Sequence, residues 1–170
     1  MLEDGIEAFT RAYWDFAARY PANLLGHADF RAFRTEGVEP ALRAAPFLPA
    51  TGTLLDLGSG GGLPGLVFAG LAPGLAVHLL EPRRKRWVFL REAAAALGLP
   101  NVTAHLGQWP GHRFSPAPPP FDRISIRGLK LTPAMVAALR PLLAPAARYI
   151  VFHEDNAGLL AKAAAAFDRA

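Results

Sequence analysis

The run LLDLGSGGGLPGLVFAG, Leu54 to Gly70, sets six glycines and one proline between two apolar stretches. Six glycines raise the backbone entropy lost on folding and give no packing in return, so a purely structural turn accounts for them poorly. The apolar run before them reads as a strand. The run after them reads as a helix with Pro64 in its first turn, where a missing N–H costs nothing. A strand, a glycine-rich turn and a helix N-terminus present unpaired backbone N–H groups and a partial positive charge at the carboxyl edge of a sheet. Such a turn receives a ligand.

The rest of the chain supplies the sheet. Apolar β-prone runs TLLDL, AVHLLE, NVTAHL, DRISI and ARYIVF alternate with helical patterns. Trp87, Leu90, Ala94 and Leu97 form the apolar face of one helix, with Gly98 placed to end it. Thr132-Pro133 opens another, carrying Val136, Leu139 and Leu143, which Pro141 bends or ends early. Leu159, Ala163 and Phe167 mark the last. Alternation of this kind predicts a parallel sheet covered on both faces, an α/β fold. SPAPPP, Ser115 to Pro120, reads as a stiff surface loop. Ahead of the sheet, Ile6, Phe9, Tyr13, Phe16 and Tyr20 recur at steps of three and four, the pattern of a docking helix. Residues 1–50 therefore read as an N-terminal helical extension and residues 51–170 as the ligand-binding domain.

With 170 residues, 52% hydrophobic and 19% charged, the chain can bury one domain's core. It has no cysteine, no basic-then-apolar leader and no apolar run approaching the roughly 18 residues of a bilayer span. The expectation is a soluble, cytoplasmic protein with no membrane partner. A net charge of +4 favours anionic partners without demanding nucleic acid. His27, His78, His105, His112 and His153 show no metal-ligand spacing, so no metal site is expected. His153-Glu154-Asp155 follows the fifth strand, where a helix cap is the simpler account.

Three ligand classes compete for the turn. A nucleoside-triphosphate loop needs a Lys-Ser or Lys-Thr that does not follow these glycines. Gly60, Gly62 and Gly65 satisfy the dinucleotide pattern G-x-G-x-x-G, with Glu81 about 20 residues on as a ribose acid. An acid at the strand end followed by G-x-G-x-G is the S-adenosylmethionine pattern, which Asp56, Gly58, Gly60 and Gly62 supply. The residues of the turn leave the last two open.

Wider context favours the methyl donor. DLGSGGGLPG, LLEPRRKRWVFLREAAAALGLPNV and FDRISIRG together resemble the glucose-inhibited division protein B family of small-subunit ribosomal RNA guanine-N7 methyltransferases, and NLL at Asn23 to Leu25 is a weaker echo of its N-terminal motif. The resemblance implies a Rossmann-like class I methyltransferase with S-adenosylmethionine as cofactor and ribosomal RNA or the small ribosomal subunit as partner. It implies that Gly58, Gly60, Gly62 and Leu63 line the methionine and ribose end, that Glu81 takes the ribose hydroxyls, that Gln108 and Trp109 hold the adenine, and that Arg127 stands near cofactor and target base as the catalytic candidate. The alternatives are a methyltransferase acting on a small molecule or protein, and an inactive binding subunit of the same fold.

Arg83, Arg84, Lys85 and Arg86 open a helix with cations, against its macrodipole; RNA phosphate and solvated surface charge explain them about equally. The family continues with two further strands that this chain is expected to lack. ARYIVF, Ala147 to Phe152, is therefore expected to expose an unpaired edge, covered by a second copy, a partner chain or the N-terminal helix, a homodimer being the simplest case.

Overall fold

The structure, a computed structural model, describes residues 3–20, 23–163 and 167–169. Six strands form one sheet in the order β3-β2-β1-β4-β5-β6. They are β1 (Gly52–Leu57), β2 (Leu75–Glu81), β3 (Val102–Leu106), β4 (Phe121–Ile126), β5 (Leu143–Val151) and β6 (Phe167–Arg169). Every neighbouring pair is parallel. Because β1 lies between β2 and β4, the chain reverses its direction of travel across the sheet beside the carboxyl end of β1. A crevice opens at such a reversal, and it opens over the glycine turn.

Parallel strands must be covered on both faces, and β1 shows how the sequence meets that need. Leu54 points into one core with Tyr13, Phe33, Leu66, Phe68 and Phe89. Leu55 and Leu57 point into the other with Ile124, Ile126, Leu139 and Leu160. Each such side chain contributes roughly 1.5–3 kcal/mol when fully buried. The first face carries α1 (Glu3–Ala17), a helical segment, α4 (Gly65–Leu71) and α5 (Arg84–Ala96). That segment runs from α2 (Phe30–Ala32) through a π-helical turn, Phe33–Val38, to α3 (Glu39–Ala44) and a 3-10 turn, Ala45–Phe47. The second face carries α6 (Pro133–Leu139) and α7 (Glu154–Lys162).

Punctuation in the sequence matches the observed ends. Thr132 accepts the Met135 N–H through Oγ1 at 3.2 Å and caps α6. Gly98, at φ 64°, stops α5. Asn101 binds several chain segments at once: its Nδ2 donates to the carbonyls of Ala69, Ala72 and Leu75 at 3.1, 3.3 and 2.9 Å, joining the end of α4 to the start of β2.

Four expectations are corrected. No helix spans residues 107–120 between β3 and β4, a prolines-rich stretch; rings hold it instead. His78 Nδ1 lies 2.9 Å from His105 Nε2, and Phe114 meets His105, His112 and Phe121 edge-on at centroid distances of 4.9, 4.7 and 5.6 Å. Leu143 is not on the face of α6: Pro141 ends the helix and Leu143 begins β5. Phe167 does not continue α7, which ends at Lys162, but belongs to β6. The β5 edge is accordingly not open along its length, because β6 pairs with Tyr149, Ile150 and Val151. Arg148 reinforces the pairing through Nε and Nη2 to the two Asp168 oxygens at 2.8 and 2.5 Å. The chain's own strand takes the place foreseen for a second copy there.

Two outcomes follow for stability. Asn101→Ala should lower the unfolding free energy by about 1–3 kcal/mol in denaturant titration, since it removes the one side-chain amide that ties the Ala69 and Leu75 carbonyls together, Ala72 keeping the Leu75 N–H. The histidine cluster should make the fold acid-labile. Burial lowers the pKa of His78, His105 and His112 below 6.5, and for His105, where the other two imidazoles add to the burial, to about 4. A histidine held neutral in the fold stabilises fully above its unfolded pKa and loses that contribution as pH falls. The melting temperature should therefore drop between about pH 6.5 and pH 4, and His105→Phe should flatten that drop relative to the parent protein.

Candidate functional site

The site begins where β1 ends. Gly58 and Gly60 have φ of 70° and 58°, a left-handed backbone that side-chain-bearing residues rarely adopt. β2 grips the turn: the N–H groups of Gly58 and Ser59 both donate to the Leu80 carbonyl, at 2.9 and 3.2 Å. Glu81, only 3% exposed, then clasps it. Its Oε2 accepts the Gly60 N–H and its Oε1 the Arg83 N–H, each at 2.9 Å. One carboxylate thus joins the glycine turn to the start of α5.

The glycines serve different ends. A Cβ on Gly60 would meet Arg86 Nη1 at 3.6 Å and the Gly58 carbonyl oxygen at 3.8 Å, ordinary contact distances, so it is the left-handed φ and not crowding that favours glycine here. A Cβ on Gly62 would lie 2.5 Å from both the Tyr13 hydroxyl and Leu66 Cδ1, so this one admits close packing of α1 and α4. Tyr13 also donates its hydroxyl to the Gly61 carbonyl, bringing α1 onto the turn.

Above Gly60 lies a cleft of about 250 Å³, walled by Gly58, Leu63, Arg86, Arg127 and the loop from Leu24 to His27. Asp56 sits beneath it, buried, with Oδ1 accepting the Ser125 hydroxyl at 2.5 Å. Burial pushes its carboxyl up to about 6, against the lowering pull of donors on Ser125, Ser59 and Gly65 and of the Arg127 charge. Its Oδ2 makes no hydrogen bond of normal geometry, although the Gly65 N–H is close enough to exert that pull.

Arg127 leaves the end of β4 and turns toward the N-terminal segment. Its guanidinium donates to the Gly37 carbonyl at 2.7 Å and to the Glu36 carbonyl. Pro40 has no N–H to give, so this part of the helix is short of one backbone donor, and Arg127 supplies donors from outside. Burial lowers the Arg127 pKa, with Asp56 and Tyr13 pulling it back up.

The remaining candidates divide. Gln108 is exposed just past β3, whereas the Trp109 indole donates to the Met135 carbonyl at 3.1 Å and packs on the second core. Arg83, Arg84 and Lys85 are exposed at the start of α5, and Arg86 alone turns into the cleft. A second cleft of about 400 Å³ opens at the ends of β4 and β5, among Gly128, Leu129, Lys130, His153 and Glu154. Leu129 stands between the two clefts, its Cδ2 lying 3.5 Å from a Cβ built on Gly58. Among the described residues, no group of three or more His, Cys, Asp or Glu is placed to hold a metal ion, and no helix is long and apolar enough to cross a membrane.

Sequence reasoning missed Tyr13 and His27 as site residues, and the carbonyls of Glu36 and Gly37. Tyr13 reads as one more apolar helix position, and a carbonyl carries no residue signature. Pro40 was the one available signal.

Known proteins resemble this chain. A ribosomal RNA small subunit methyltransferase G of Granulibacter bethesdensis is 42% identical over 97 residues, 56% of this chain and 45% of that protein. A ribosomal RNA small subunit methyltransferase G 1 of Syntrophobacter fumaroxidans is 32% identical over 122 residues, 71% of this chain and 56% of that protein. The chain spans about half the length of these curated relatives. A methyltransferase from Thiobacillus denitrificans, solved with S-adenosyl-L-homocysteine, shares the fold at a TM-score of 0.54 and 24% identity, over 64% of this chain and 45% of that one. The family model for rRNA small subunit methyltransferase G, GidB, matches residues 15–162, most of the sequence, and the chain belongs to that family.

Proposed function

We propose that this chain is an S-adenosylmethionine-dependent methyltransferase that modifies guanine N7 in small-subunit ribosomal RNA. The observation that carries the reading is the glycine turn clasped by Glu81, in a chain of this family. The residues suit the donor. Gly60 leaves backbone bare toward the cleft, and each Glu81 oxygen, accepting one N–H, keeps lone pairs for the two ribose hydroxyls. Leu63 gives the cleft an apolar wall. Gln108 is placed to reach the adenine, and Trp109, anchored on α6, holds the segment that presents it.

Bound S-adenosylmethionine supplies an electrophilic methyl group on a sulfonium. The protein's part is alignment and exclusion of water, because guanine N7 already presents a lone pair and no base is needed to uncover it. The N-terminal loop roofs the cleft, and Arg127 fastens the π-helical turn Phe33–Val38 beside it. The second cleft, across Leu129, is where the acceptor base is held. Arg83, Arg84 and Lys85 contact RNA phosphates outside it. The deciding experiment is incubation with methyl-labelled donor and small ribosomal subunits or their RNA. Label recovered as 7-methylguanine supports the reading, and donor binding with no label in RNA overturns the RNA assignment.

Gly60→Val should abolish binding of S-adenosylhomocysteine in calorimetry, because it fills the open face of the turn and forces a branched residue to positive φ. Arg127→Ala should reduce methyl transfer by about 100-fold through misplacement of the roof. Hydrogen exchange at residues 33–38 should quicken in the same variant, and Arg127→Lys should not restore it, since one ammonium does not reproduce the guanidinium fork.

A further inference from the structure

The strand order fixes which way a donor lies across the turn. Glu81 ends β2 and Arg127 ends β4, on opposite sides of β1. A ligand with its ribose at Glu81 sends its amino-acid end toward β4, where the walls are Arg127, Gly128 and the loop from Leu24 to His27. That end carries a carboxylate, which needs donors. Arg127 has Nη1 and Nη2 already directed to the Gly37 and Glu36 carbonyls.

Arg127 keeps three further N–H donors, and His27 stands beside it on the same wall. Its Nδ1 is buried and has no hydrogen-bond partner among the described residues. The ring is held in place: it meets Phe33 edge-on at 5.7 Å, and a Cβ on Gly37 would crowd its Cε1 at 3.1 Å. Asn23 braces the loop on both sides, donating to the His27 carbonyl and accepting from the Gly26 N–H, each at 2.8 Å. The ring lines the cleft, and its Nδ1 has no partner of normal hydrogen-bond geometry, although the Leu25 backbone is close enough to raise its pKa; a small turn of the ring that brings the nitrogen to a bound acceptor relieves that cost.

We propose that His27 binds the α-carboxylate of the methyl donor, closing the amino-acid end of the cleft from the N-terminal segment. The proposal rests on the donor reading above. The charges that face the imidazole are Arg127 from the end of β4 and Glu36 from the π-helical turn, with Arg86 of α5 on the same cleft. Burial and Arg127 lower its pKa below 6.5, while Glu36 and the Leu25 backbone pull the other way. The free protein therefore holds it neutral. An arriving carboxylate favours the imidazolium, so binding draws in a proton as pH falls, and affinity rises with it.

The test is calorimetric binding of S-adenosylhomocysteine at pH 6 in two buffers of different ionisation enthalpy. Asp56 titrates in the same range, so the readout is the difference between the parent protein and variants. Proton uptake should fall in both His27→Gln and His27→Phe. Affinity should fall about tenfold or more in His27→Phe and recover in part in His27→Gln, which still donates a hydrogen bond; matched melting temperatures show that both fold. Binding with unchanged affinity and unchanged proton uptake in both variants overturns this proposal alone. Failure of the parent protein to bind S-adenosylhomocysteine overturns the donor reading and this proposal with it.

Discussion

The site depends on one buried carboxylate. Glu81 accepts from Gly60 on one strand-to-helix turn and from Arg83 on the next, so two crossovers that the sheet alone would leave independent are locked in one geometry. Hydrogen bonds to an ionised, largely desolvated group are the stronger kind, and here they also satisfy a charge that would be expensive to bury bare. Without that clasp, the left-handed glycines have many other conformations available, and the cleft has no floor.

The N-terminal segment forms the roof and is tied down at several points. Tyr13 reaches the Gly61 carbonyl, Arg127 reaches Glu36 and Gly37, and Arg123 donates to the Phe47 carbonyl at 2.9 Å. Two of these ties come from β4 and end on backbone. The helices before the sheet thus share its core and complete its crevice. The sheet's own half of the cleft is the glycine turn, Leu63, Arg86 and, past the end of β4, Arg127 and Gly128, with Glu81 holding the turn.

Much of this was legible in the sequence, for identifiable reasons. Strands buried on both faces are apolar runs, which is why TLLDL and DRISI stood out, and Gly98, Thr132 and Pro141 marked helix ends through plain backbone chemistry. Glu81 was legible because an acid at a strand end beyond a glycine turn has few other uses. β6 was not: Phe167, Asp168 and Arg169 follow a helical spacing, and their pairing depends on an edge some 20 residues away in sequence. The position of Arg127 could be read, but its partners are carbonyls, which any residue supplies. Trp109 follows the third strand, as read, yet the direction of its ring is set by the Met135 carbonyl and the second core, which no local pattern encodes.

The π-helical turn has a consequence for how this segment can vary. Successive residues of an α-helix are about 100° apart around its axis. A π-helical turn holds one residue more than the α-helical turn it replaces, so loss of one residue between Phe33 and Val38 would restore an ordinary helix and leave Ala41 and Ala44 on the buried side they now occupy. The seam with the sheet would survive, and the cost would fall on the Glu36 and Gly37 carbonyls that Arg127 holds. The bulge thus takes up one residue without disturbing either end of the helix, and it is the tie to the cleft, not the packing below it, that fixes the length of this turn.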